Sequence, residues 1–300
     1  GMGALAVLVL CGVATGSIIL RLSFVALAMM RLMPSLSRLN YYLSTMRHSL
    51  PAFTTIMDDL AALQPPPPPT APPLPFRQSI RLEQVSFKFE GRDSCVVAHF
   101  DLEIPRNRSL ALVGKTGCGK TTVLDLILGL LKPTAGRVLV DGRDIEENLP
   151  SWQRRIGYVP QVIHLMDDSL RANVAFGVPV AAIDDAKVQR CLEAAQLWSF
   201  VGTLPAGLET VVGERGVRLS GGQRQRIGIA RALYHDPEVL ALDEATSALD
   251  HETEQAIVTA LQGLHGRLTI IMIAHRLTTV QGCDQIVNLE TVASARQEAS

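Results

Sequence analysis

The chain is poor in the features that mark several large protein classes. Its five cysteines (Cys11, Cys95, Cys118, Cys191 and Cys283) are scattered over 300 residues and form no Cys-x-x-Cys pair. That spacing argues against a disulfide framework and a structural zinc site, and it suits a reducing compartment for the globular part. The formal net charge is -1, which leaves no basic excess for nucleic acid. Charge is absent altogether from Met2 to Leu20, and after Arg21 none returns before Arg31. The first of these runs has the length of a membrane span. A signal peptide would need a basic start and a cleavage segment, and the sequence supplies neither. A buried soluble helix is the blander alternative.

What is present divides the chain in three. Residues 1–63 read as an all-α, partly membrane-spanning segment of about two helices. Gly12, Gly16 and Ser17 interrupt the apolar run, and Arg21 is costly at a bilayer centre. The expectation is one helix ending near Val13, a turn at the membrane surface, and a second helix from about Ile18. Pro34 should kink that helix or mark its exit from lipid. Beyond it Leu36, Leu39, Leu43, Met46 and Leu50 recur at helical spacing. Arg31, Arg38 and Arg47 among them favour a cytoplasmic side for this end.

Residues 64–78 follow as a linker. "QPPPPPTAPPLP", Gln64 to Pro75, holds eight prolines, and a polyproline II spacer is its physical default. From residue 79 to 300 strand and helix patterns alternate, which argues for an α/β core with additional subdomains. "IRLEQVSFKF" alternates like a half-exposed strand, whereas "SLALVG" and "VLALDE" read as fully buried ones. Helical patterns run over Thr122 to Leu130, Asp184 to Phe200 and Gly222 to Leu233.

"GKTGCGKT", Gly114 to Thr121, fits the phosphate-loop pattern between an apolar strand and a helix. Gly114, Gly117 and Gly119 let the main chain approach phosphate, and the amides of Lys115, Thr116, Cys118 and Thr122 line the same cradle. Lys120 should reach the β- and γ-phosphates, and Thr121 should offer its hydroxyl to magnesium. A Gly-rich turn would explain the glycines but leave Lys120 and Thr121 without a task. In "VLALDE" a buried strand ends on two acids at the ligand side of a parallel sheet. Asp243 is placed to hold magnesium, and Glu244 to orient an attacking water. Merely solvated acids are the alternative. His275, closing "LTIIMIAH", is either a surface histidine or a contact to the γ-phosphate. Gln161, after "IGYVP", can ligate magnesium or water. "LSGGQ", Leu219 to Gln223, opens a helix with Ser220, Gly221, Gly222 and Gln223, and has no acid or nucleophile of its own.

In this order the motifs resemble the nucleotide-binding domain of an ATP-binding-cassette transporter over roughly Ile80 to Leu289. "VGERG" before "LSGGQ" and "SALD" at Ser247 to Asp250 add to the likeness, the former pointing to the exporter branch. The resemblance implies an α/β P-loop NTPase fold with a RecA-like core, an antiparallel β subdomain and a helical subdomain. It implies ATP and Mg2+ as ligands, Phe89 stacking on adenine, Lys120, Gln161, Glu244 and His275 in catalysis, and Asp250 linking two sites. It further implies a head-to-tail dimer with a second subunit, an identical chain by default. There Ser220 and its neighbours face the ATP held by the other copy, and hydrolysis is positioning and charge stabilisation of phosphoryl transfer to water. The segment Arg31 to Phe53 resembles half-transporters for lipid-linked oligosaccharide or polysaccharide. The expected setting is the inner membrane, multi-pass, with the ATPase in the cytoplasm and a lipid-like or glycan substrate.

Three departures stand out. An exporter half has more membrane spans than residues 1–63 can supply, so the chain reads as a fragment or truncated product that would not transport alone. Phe89 replaces a tyrosine, keeping the stacking face and losing the hydroxyl. "NLETVASARQEAS" lacks the glycine turn expected after that point. A soluble ATPase of the same superfamily, or a non-transporting ATP-binding scaffold, remains as the alternative.

Overall fold

The computed structural model describes residues 15–62, 72–91, 94–213, 219–244, 251–274, 280 and 282–290. The chain divides into two compact units, Gly1–Pro68 and Pro69–Ser300.

The first unit is one helix, α1, Thr15–Ala62, of 48 residues. At 1.5 Å per residue it is about 70 Å long, roughly twice the thickness of a bilayer's hydrocarbon core. Leu20, Phe24 and Leu27 lie exposed on one face, and Leu22, Val25 and Met29 lie exposed on the opposite one. A stretch apolar on opposite sides is consistent with a lipid environment. The helix starts at least three residues earlier than Ile18, and it runs through Pro34 and Pro51 without ending at either. A proline removes one backbone bond, and the bonds of the neighbouring turns hold the rest. The first of the two expected helices lies outside the described residues.

The second unit has the three parts that the resemblance implies. A five-stranded sheet in the order β11-β3-β10-β9-β6 forms the centre. Its strands are β3 Ser109–Val113, β6 Ile156–Val159, β9 Val239–Leu242, β10 Thr269–Ile273 and β11 Gln285–Asn288, all parallel. Successive side chains point to opposite faces. Ala111, Leu240, Leu242, Ile270 and Met272 join one core, and Leu110, Leu112, Val239, Ala241 and Ile271 join the other. Both faces are covered, which is why these strands read as unbroken apolar runs.

An antiparallel sheet, order β2-β1-β4-β5, packs into the second core. It comprises β1 Ser79–Phe87, β2 Val97–Pro105, β4 Ala135–Val140 and β5 Arg143–Asp144. The first core receives the helical part: α4 Leu170–Val174, α5 Asp185–Ala194, α6 Trp198–Val201 and α7 Gly221–Tyr234. A short pair, β7 Asp168–Ser169 and β8 Val211–Val212, accompanies them. The continuous helix expected from Asp184 to Phe200 is split. Gln196 takes φ 55, and the Leu197 N–H turns back to the Leu192 carbonyl at 2.8 Å, a left-handed stop after Ala194.

The helix after the phosphate loop, α2, spans Lys120–Leu128 and ends at Gly129, which caps it at φ 68. A side chain at Gly129 would also sit 2.3 Å from Leu149 Cδ1, so the stop is fixed twice. Trp152 of α3, Leu149–Gln153, is fully buried and donates to the Ile127 carbonyl at 2.8 Å. Phe76 meets Trp152 edge-on at 5.8 Å, and Leu74 and Phe76 are both buried. The Leu74 N–H donates to Ser151 Oγ, and Asn148 Nδ2 donates to the Pro72 carbonyl. The end of the proline-rich stretch is thus anchored in the second unit, ahead of the boundary that composition suggests.

Candidate nucleotide site

β3 delivers the chain to the phosphate loop and α2 takes it away. Gly119 stands at the N-cap of α2 with φ 96, a left-handed conformation that disfavours any residue with a Cβ. Having no side chain, it leaves the helix start uncapped. Among the described residues no acceptor meets the N–H groups of Lys120, Thr121 and Thr122. Three free donors at the positive end of a helix fit an anion. Lys120 is 5% exposed, and its Nζ donates to the carbonyls of Gly114 and Lys115 at 2.9 Å each. The ammonium is thereby held inside the loop whose amides would take phosphate, except that of Lys115, which donates instead to the Glu290 carboxylate. Lys115, Thr116 and Gly117 face outward, Cys118 is half-buried, and Thr122 is buried.

The acids arrive from β9. Its parallel pairing with β6 aligns Leu242 with Val159, and the Asp243 N–H continues the ladder to the Val159 carbonyl at 2.9 Å. Asp243 is buried to 8% exposure. Burial raises its pKa, as does the neighbouring Glu244 charge, while Lys120 and a hydrogen bond from Thr121 pull it down. Thr121, Lys120 and Glu244 therefore all lie within electrostatic reach of Asp243. A hydroxyl beside a carboxylate is an all-oxygen donor pair of the kind magnesium takes. Gln161 joins them, its Nε2 donating to Glu244 Oε2 at 2.7 Å. Glu244 itself has φ 48. A left-handed glutamate costs on the order of 1–3 kcal/mol, a strain characteristic of functional positions.

Two groups behind this cluster carry no motif signal. Asp125 lies one turn along α2 from Thr121; burial and then Asp243 raise its pKa. Tyr158 on β6 is pushed up to about 12 by burial, Asp243 and Asp125, in that order. The helical period from Thr121 was the signal for Asp125; Tyr158 follows only from the pairing of β6 with β9.

Ser220 caps α7. Its Oγ accepts the Gln223 N–H at 3.2 Å, and Gln223 Oε1 accepts the Ser220 N–H at 2.8 Å. This capping box rigidifies the helix start and leaves Ser220 and Gly221 exposed. Among the described residues the bonds of Ser220 stay within that turn, and none reaches residues 114–121. Phe89 is 40% exposed and leans edge-on against Phe87 at 4.9 Å. His275 and Asp250 lie outside the described residues. A cavity of about 310 Å³ lined by residues such as Ser109, Leu261, His265 and Cys283 includes none of these site residues.

Residues 97–247 match the ABC transporter family. The ATP-dependent lipid A-core flippase of Ralstonia nicotianae is 44% identical over 216 residues, which are 71% of this chain and 36% of that protein. The flippase of the same description from Nitrosococcus oceani is 40% identical over 269 residues, 89% of this chain and 45% of its own length. The heterocyst differentiation ATP-binding protein HepA of a Nostoc species is 43% identical over 215 residues, 71% and 35% of the two chains. A solved bacterial Atm1-family ABC exporter with ATP bound superimposes with a TM-score of 0.70 at 34% identity, over 89% of this chain and 47% of that one. The chain therefore spans less than half the length of these relatives.

Proposed function

Because the chain belongs to the ABC transporter family, we propose that it is the ATP-hydrolysing portion of an exporter half, coupled to movement of a lipid-linked glycan or other lipid-like substrate. The observation that carries the reading is that Lys120, Thr121 and Glu244 lie within electrostatic reach of Asp243, with Gln161 bonded to Glu244. The lipid-like substrate rests on the flippase relatives, and membrane insertion on α1, the one helix among the described residues long and apolar enough to cross a bilayer.

In this reading Lys120 and the open N-terminus of α2 take the β- and γ-phosphates, and Phe89 stacks on adenine. Thr121, Asp243 and Gln161 hold magnesium, which when bound offsets phosphate charge. Glu244 accepts a hydrogen bond from the attacking water and holds it in line, with Gln161 and His275 fixing its direction. Ser220, Gly221, Gly222 and Gln223 of a second, identical chain complete each site head to tail, and Asp250 lies between the two. The exposed, internally bonded cap at Ser220 supports that arrangement, since it presents a helix start that its own described contacts do not use.

The test is ATPase turnover of the whole chain in detergent micelles against protein concentration, beside Glu244→Gln. The reading expects specific activity to climb with concentration and the variant to dimerise in ATP without turnover. A rate indifferent to both concentration and Glu244→Gln sinks it.

A further inference from the structure

The edge strand of the central sheet reaches back to the phosphate loop. β11 pairs with β3 with Asn288 opposite Val113, and at Leu289 and Glu290 the chain leaves the strand beside the start of the phosphate loop. There the Glu290 carboxylate accepts the Lys115 backbone N–H. Its second oxygen lies 3.5 Å from Lys115 Nζ. Asn288 Oδ1 accepts the Glu290 N–H at 3.0 Å and fixes the turn that aims the carboxylate.

The Lys115 N–H and the Gly114 carbonyl belong to one planar peptide unit. That carbonyl accepts Lys120 Nζ at 2.9 Å. One amide therefore carries a carboxylate on its N–H and an ammonium on its C=O. A charge-assisted bond at the N–H shifts electron density to the carbonyl oxygen and strengthens its hold on the ammonium. The ion pair to Lys115 Nζ adds little, because the Lys115 side chain is 85% exposed. The backbone bond carries the effect.

We propose that Glu290 is a positioning residue for Lys120, acting through the peptide between Gly114 and Lys115 to hold the ammonium where nucleotide phosphates meet it. The inference rests on the nucleotide reading given above. A carboxylate that merely tied down the sheet edge would matter equally whether or not Lys120 were present, and that difference is measurable.

The experiment is a double-mutant cycle of MgATP binding by the whole chain in detergent micelles, read by equilibrium dialysis. Glu290→Ala should weaken binding roughly five- to tenfold with Lys120 in place, as expected for loss of a hydrogen bond to a charged group. In the Lys120→Ala background the same change should cost less than about twofold. Equal losses in the two backgrounds, or no loss in the first, overturn the proposal. Should circular dichroism show Glu290→Ala to be unfolded, Glu290→Gln takes its place. It keeps an oxygen acceptor without the charge, and its expected loss is roughly two- to threefold, again confined to the background with Lys120. A wild-type chain that binds no MgATP overturns the nucleotide reading itself, whereas binding that depends on Lys120 with an additive cycle overturns this inference alone.

Discussion

Phe76→Ala tests how firmly the chain leaving the proline-rich stretch is built into the second unit. Phe76 is 2% exposed and meets Trp152 edge-on at 5.8 Å. Arg106 lies over the ring, with Cζ 5.8 Å from its centre. Truncating a buried phenylalanine costs about 3–5 kcal/mol. The upper half of that range is expected, because the ring pair and the Arg106 contact are lost together. For a unit of this size each kcal/mol lowers the melting temperature by roughly 2–4 °C, so the drop should be of the order of 10 °C. Tryptophan fluorescence during urea unfolding is the assay, since Trp152 is one of only two tryptophans in the chain. A loss below about 1 kcal/mol would refute the packing of residues 72–76 and return them to the linker.

Gln161→Ala removes the bond at 2.7 Å to Glu244. A hydrogen bond worth about 1 kcal/mol here means a fall in turnover of at least about fivefold, with the loss of the proposed magnesium contact adding to it, and unchanged turnover contradicts the positioning role. Asp243→Asn should raise the melting temperature of the nucleotide-free protein at neutral pH. The Asp243 pKa is raised, first by burial and then by Glu244, so its favourable contribution is present in acid and lost as pH climbs through the raised value. The gain from the substitution should therefore vanish on acidification, and a gain independent of pH would contradict this. Asp284→Ala strips Ser109, itself 3% exposed, of the acceptor for both its N–H and its hydroxyl, each at 2.8 Å. A destabilisation of about 2–3 kcal/mol in urea unfolding is expected, and a change under about 0.5 kcal/mol would show that the network does not hold the start of β3.

Much of this site is legible in the residue string because its parts are local. A loop that needs positive φ at Gly119, followed by a helix start, is written within eight letters. β3, β9 and β10 show as buried runs because both faces of a parallel sheet are covered. What the string conceals comes from pairing across long sequence gaps. Glu290 reaches Lys115 only through the pairing of β11 with β3, and Tyr158 nears Asp243 only through β6 on β9. "LPF" after the prolines was a visible apolar signal, but nothing local names Trp152 as its partner. The break at Gln196 is hidden for another reason: a glutamine carries little of the turn preference that glycine or asparagine would declare.

The central claim is that each ATP is held between Lys120 of one chain and Ser220 of another. Mixing Lys120→Ala chains with Ser220→Arg chains, each inactive alone, tests it most directly. Random pairing makes about half of the dimers mixed, each with one intact composite site, so ATPase activity should return to roughly a quarter of the wild-type level. If every site were built within a single chain, no pairing could repair either variant, and activity that stays at zero in a mixture shown to contain mixed dimers would contradict the account.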